Sequence, residues 1–155
     1  MTAELERTVQ DLNARYVAAI DDNRLEAWPD FFSAEGRYRV TTAENFERGL
    51  PLSMIYATSR AMLRDRINAL RNANVYESQR YRHTVGATVV EEPANGTVRA
   101  VSNFLVARVM HTGETMLFAT GRYEDTIALG EPLRFIEKTV ILDSRQIDTL
   151  LAIPL

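Results

Sequence analysis

The side chains able to do chemistry are few. The chain has two histidines, His83 and His111, and no cysteine. His83 follows Tyr81 by two positions in the strand-like run Tyr-Arg-His-Thr-Val-Gly, so both rings face one side of that strand. With Tyr38 or Asp30 it could form an acid-base cluster in a pocket, the equipment of a dehydratase or isomerase. The competing reading is a core or interface histidine hydrogen-bonded to a neighbour, the more frequent fate of a buried polar group. As joint metal ligands the two histidines fail on distance. Residue 111 sits at a hairpin end about five residues past the position facing 83, roughly 16 Å at about 3.3 Å per residue. A facial triad needs two histidines on one iron, so no mononuclear iron is expected here. Zero cysteines exclude disulfides, thiolate-bound zinc, thiol nucleophiles and the two-Cys, two-His Rieske cluster.

Other candidates carry bland readings. Asp21 and Asp22 resemble a carboxylate pair, but an acidic pair between two helices is most often a turn or a cap. Arg60, Arg64, Arg66 and Arg71, with Arg80 and Arg82 after them, form a modest basic cluster, either solvated or facing an anionic partner. Ser33, Ser53 and Ser102 lack a nearby histidine or a nucleophile-elbow pattern and are assigned no role.

These residues must be held by something. At 155 residues the chain suits one domain, 1–155, with a single core. The net charge of -3 and scattered Lys and Arg give no basic field for nucleic acid. No apolar run reaches the roughly 18 residues that span a bilayer, and the acidic, amphipathic start lacks a signal-peptide core, so a cytoplasmic location is expected. Leu5, Val9, Leu12, Tyr16 and Ile20 predict a first helix, and residues 24–32 a short second piece interrupted by Pro29. Residues 36–42 and 52–57 read as strands, and 59–72 as a helix stopped by Asn72 to Asn74. Then come four strands, 80–92, 97–110, 115–127 and 133–142, joined by Gly-bearing turns. The sum is an α+β roll with N-terminal helices on a strongly bent antiparallel sheet.

The meander has too much apolar surface for those helices. With symmetric turns, 83 faces 106, 106 faces 119, and 119 faces about 140. One face then collects Tyr81, His83, Val85, Ala87, Val89, Phe104, Val106, Leu117, Tyr123, Ile136 and Val140. The other collects Val101, Leu105, Val109, Met116, Phe118, Phe135 and Ile141. A monomer rarely exposes more than a few hundred Å² of contiguous apolar surface, so another chain should cover the second face. Leu105, Met116, Phe118, Phe135 and Ile141, with Arg80 and Arg82, are the interface candidates, joined by the apolar tail. Phe118→Asp or Leu105→Asp should then break the oligomer.

Four stretches, AWPDFFSAEGRYRVT, MLRDRINALRNANVYESQRYRHTVG, MHTGETMLFATGRYEDTI and DTLLAIPL, run in order over nearly the whole chain. In these the sequence resembles the small (beta) subunits of aromatic-ring-hydroxylating dioxygenases, nearest to those acting on aromatic carboxylates such as terephthalate or salicylate. The resemblance implies the cone-shaped roll shared with nuclear transport factor 2 and SnoaL-like proteins. It implies a homotrimer of small subunits within an α3β3 assembly. In that assembly the large subunit carries the Rieske [2Fe-2S] cluster, the mononuclear non-haem iron and the substrate pocket, and the small chain is structural, with no cofactor. The alternatives are a free-standing dehydratase or isomerase using Tyr38, Asp30 and His83, or a small-ligand binding module.

Overall fold

The computed structural model describes residues 2–72, 77–146 and 151–155. Helix α1 (Thr2–Asp21) buries Val9, Leu12, Tyr16, Val17 and Ile20, the expected stripe, together with the polar Asn13. It ends where Asn23 takes a left-handed φ of 59°. There Asn23 N donates to Ile20 O and Arg24 N to Ala19 O, the paired bonds of a Schellman stop. A 3-10 turn (Leu25–Phe31) accommodates Pro29 and buries Leu25 and Trp28.

Strand β1 (Phe32–Thr42) begins four residues earlier than its alternation predicts, because an irregularity between Phe32 and Arg37 hides the period. A short helix α2 (Ala43–Glu47), absent from the sequence reading, is capped by Thr42, whose hydroxyl accepts from Asn45 N at 3.2 Å. Then follow β2 (Ile55–Ala57), α3 (Arg60–Asn72), β3 (Gln79–Val90), β4 (Thr97–Met110), β5 (Thr115–Ala128) and β6 (Arg134–Leu142). Residues 73 and 74 of the expected helix stop, and 147–150 of the tail, lie outside the described residues. The β3–β4 hairpin closes on Asn95-Gly96, with φ of 55° and 75°, the left-handed pair that such a two-residue turn needs.

The six strands form one sheet in the order β2-β1-β6-β5-β4-β3. The β3–β6 meander is antiparallel, and β1 joins it parallel to β6. The sheet bends around α1, the 3-10 turn and α3, enclosing one core, with aromatic rings at its centre. Tyr16 meets Phe31, Phe135 and Tyr123 edge-on at 5.5–6.1 Å between centroids, and Phe104 stacks on Tyr123 at 4.5 Å. Gly121 marks where β5 passes closest to β6, since a Cβ there would run into the Ile141 carbonyl oxygen. Among the described residues, no helix is long and apolar enough to cross a membrane.

The register holds in two of the three hairpins. His83 faces Val106 and Val106 faces Ala119. In the third, Tyr123 faces Val140, so β6 slides about four residues from the expected pairing, because the connection consumes residues 129–133 and a bulge falls at Ile136. Each bulge changes which side later residues take. The bulge at Ile136 turns Phe135 into the core, where it is fully buried beside Tyr16 and Phe32. The bulge after Val106 puts Met116 opposite Arg108 on the inner side and sends Leu117 outward. Phe118 stacks on Tyr81 at 5.3 Å beneath the Arg108 guanidinium. Ile141 stays off the main core yet is fully buried on the strand that α2 packs against.

Leu105 therefore stands on the open outer face with Val101 and Leu117, next to the exposed Arg80 and Arg82, and with Val89, which the irregularity between Val85 and Thr88 turns out from the expected inner face. Phe135, Ile141 and Phe118 are engaged by their own chain, and Phe118→Asp would test folding rather than assembly.

Candidate functional site

The inner face of the cone holds the polar chemistry. His83 projects inward from β3 toward the end of α1. Its ring Nδ1 lies 2.6 Å from Asp21 Oδ1, and its backbone N–H donates to Asp21 Oδ2 at 2.8 Å. A carboxylate can only accept, so Nδ1 carries the hydrogen and the ring orientation is fixed. The His83 side chain is 0% exposed and that of Asp21 is 4% exposed. The opposite nitrogen, Nε2, is enclosed with no partner among the described residues.

The ring also lines a cleft with Val17, Val85 and Thr88, yet its expected companions do not join it there. Tyr38 bonds to Leu155, and Asp30 sits at the surface against Arg64 at 3.1 Å. His111 pairs with Glu77 at 3.0 Å on the surface, on a different strand end from His83. Among the described residues, no group of three or more His, Asp or Glu is gathered as a metal site. Neither a Rieske cluster nor a facial-triad iron fits this chain, which lacks cysteine and ties its one inner imidazole to a carboxylate.

Asp21 is thus a structural partner, not a turn residue. It extends the i, i+4 line Asn13, Val17, Asp21 along the buried side of α1, and that spacing was its sign in the sequence. Asp21→Ala removes the acceptor of two enclosed donors and should cost about 2–4 kcal/mol in urea unfolding. A loss below about 0.5 kcal/mol would show that the pair does not hold α1 to β3.

A second polar group lies deeper. Lys138 of β6 and Asp125 of β5 face each other directly and are both fully buried. The ammonium sits 3.1–3.2 Å from both Asp125 oxygens and 3.1 Å from Asn13 Oδ1. It is also 3.8, 4.2 and 4.5 Å from the centroids of Tyr123, Phe135 and Tyr16. Burial raises the Asp125 carboxyl to about 6, against the opposing pull of Lys138. Burial lowers Lys138 to about 8, against the pull of Asp125. Both were legible by period two: Asp125 shares parity with Tyr123 and Ile127, and Lys138 with Val140.

One end of the core is closed by residues 151–155. Ile153, Pro154 and Leu155 are buried in their own chain. The Tyr16 and Tyr38 hydroxyls donate to Leu155 O at 2.9 and 3.0 Å, and Trp28 Nε1 donates to Tyr16 Oη at 3.0 Å. Burial drives both phenols above their ordinary range, so they are neutral donors.

The arginines of α3 all bond within the molecule, Arg64 while still half-exposed at the surface. Arg60 donates to Phe32 O, Arg64 pairs with Asp30, Arg66 donates to Leu151 O, and Arg71 grips Glu26 and Asn23. They stitch α3 to β1, the 3-10 turn and the closing segment.

The profile of the family described as ring hydroxylating beta subunit matches residues 15–149. The beta 1 subunit of a terephthalate 1,2-dioxygenase terminal oxygenase component from Comamonas sp. is 42% identical, over 92% of this chain and 94% of that protein. The anthranilate 1,2-dioxygenase small subunit of Burkholderia cepacia is 36% identical, over 93% and 90%. A crystal structure from Novosphingobium aromaticivorans DSM 12444, assigned as the beta subunit of an aromatic-ring-hydroxylating dioxygenase, superposes with a TM-score of 0.91 at 36% identity, covering all of both chains. Matched by the family over residues 15–149 and by these relatives over more than nine-tenths of its length, the chain belongs to the beta subunits of aromatic-ring-hydroxylating dioxygenases.

Proposed function

We propose that this chain, as one domain over residues 1–155, is a non-catalytic supporting subunit that trimerises and holds a Rieske-type large chain in an α3β3 assembly in the cytoplasm. The reaction of that assembly is addition of O2 to an aromatic carboxylate, with NADH electrons delivered through a reductase. The cluster, the iron and the substrate reside on the large chain.

The observation that carries the reading is the contrast between the two sides of the sheet. Inside, His83 is bonded to Asp21, Lys138 to Asp125 and Tyr38 to Leu155, and residues 153–155 are buried in the core. Outside, Val89, Val101, Leu105 and Leu117 stand open, at 69%, 37%, 48% and 61% exposure, beside Arg80 and Arg82. Such a contiguous apolar surface rimmed by charge fits a protein partner. The terephthalate and anthranilate relatives support an aromatic carboxylate as the substrate class.

Co-expression with a large chain bearing Cys-x-His and Cys-x-x-His is expected to give a complex that stays together through gel filtration. Separate elution of two well-folded chains would overturn the reading.

A further inference from the structure

Side chains from two elements converge on the main chain of Leu155 at the closed end of the cone. Tyr16 of α1 and Tyr38 of β1 place their hydroxyl hydrogens on the single oxygen of Leu155, at 2.9 and 3.0 Å. Tyr38 Oη also accepts from Leu155 N at 3.0 Å, and Trp28 of the 3-10 turn supports Tyr16 through its indole N–H. Two preset donors on one oxygen in a dry setting are what an oxyanion-binding site provides.

Arg66 adds a cation close enough to act on Tyr38. Its terminal nitrogen donates to Leu151 O, while its enclosed Nε has no partner among the described residues. The walls are apolar: Trp28 lies edge-on to Tyr38 at 5.0 Å and to Phe32 at 5.9 Å.

Aliphatic side chains alone could close the end of a core. Lining it with two phenol hydroxyls makes an oxygen acceptor obligatory, since both would otherwise be buried without one.

We propose that the cone retains a binding site for the oxygen of an apolar acyl compound, carbonyl or carboxylate, and that residues 151–155 occupy it as a ligand carried in the same chain. Tyr16 and Tyr38 take the oxygen, Arg66 favours negative charge on it, and the space held by Ile153 and Leu155 takes the apolar body. The proposal does not depend on assembly with a large chain.

Trp28 is the only tryptophan, so its emission reports on the site directly. The chain ending at residue 150 is titrated with the amidated pentapeptide Leu-Ala-Ile-Pro-Leu. A saturable change in Trp28 emission is expected, with Tyr38→Phe in the same shortened chain weakening binding about tenfold. A folded shortened chain showing no saturable change, or a Tyr38→Phe form binding as tightly, overturns the proposal.

Should the shortened chain not fold, the chain ending at Pro154, which frees both hydroxyls and the space of the Leu155 side chain, is titrated with benzoate. A shift of Trp28 emission in the chain ending at Pro154 and none in the parent supports the site. No shift in either overturns it.

Discussion

Asp125→Ala is expected to destabilise the chain by about 3–5 kcal/mol, because it strands the fully buried ammonium of Lys138. Asn13 Oδ1 and three aromatic faces remain around that charge and keep the loss toward the lower figure. In a protein of this size the midpoint of thermal unfolding should fall by about 10 °C. The paired replacement Asp125→Leu with Lys138→Met removes both charges and should be neutral or stabilising, since apolar groups avoid the desolvation that the ion pair suffers.

The dependence on pH separates the two. Asp125 has its folded value raised to about 6 from 3.8, so its contribution is present below about 4 and is lost as pH rises through 6. Lys138 has its folded value lowered to about 8 from 10.5, so its contribution is present above about 10.5 and is lost as pH falls through 8. Relative to the parent, the double replacement should therefore gain stability from pH 4 to 6 and change little from 6 to 8. A flat difference across pH 4 to 8 in urea unfolding would mean that the pair is not held as described.

Leu105→Asp should abolish self-association while leaving the fold intact. Leu105 is 48% exposed on the outer face, opposite Thr84 and Thr120, so a carboxylate there remains solvated in the single chain. In an assembled trimer the same carboxylate would be desolvated against apolar surface. Loss of a central anchor costs about 2 kcal/mol or more, about 30-fold in Kd at each contact, and the introduced charge adds to that. Leu117→Asp, on the neighbouring strand, should act alike. Sedimentation velocity is the measurement, with circular dichroism confirming the fold. If both variants sediment as the parent oligomer does, the interface lies elsewhere.

Apart from the short helix α2, the elements and their order were readable in the residues. Leu5, Val9, Leu12, Tyr16 and Ile20 mark α1 because a helix burying one side repeats near 3.6, and Asn95-Gly96 marks a hairpin because both positions need a left-handed backbone. Two strand registers were readable for the same reason, since short turns leave little freedom in pairing. What misled was parity. A single bulged residue after Val106, and another at Ile136, exchanges the inner and outer sides of everything beyond it, and no local preference announces a bulge. Phe135, Phe118 and Met116 were misplaced on that account, and Leu117 with them.

Composition alone decided that this chain cannot hold a Rieske cluster, because the ligands are missing from it. Which polar groups meet was decided only by the tertiary structure. Asp21 reaches His83 across 62 residues, Asp125 meets Lys138 across a hairpin, and Tyr16 and Tyr38 meet Leu155 across more than a hundred positions. Local pattern reports which side of an element is buried. Long-range pairing depends on how the sheet curls and where its bulges fall, and those are set by the packing of the whole core.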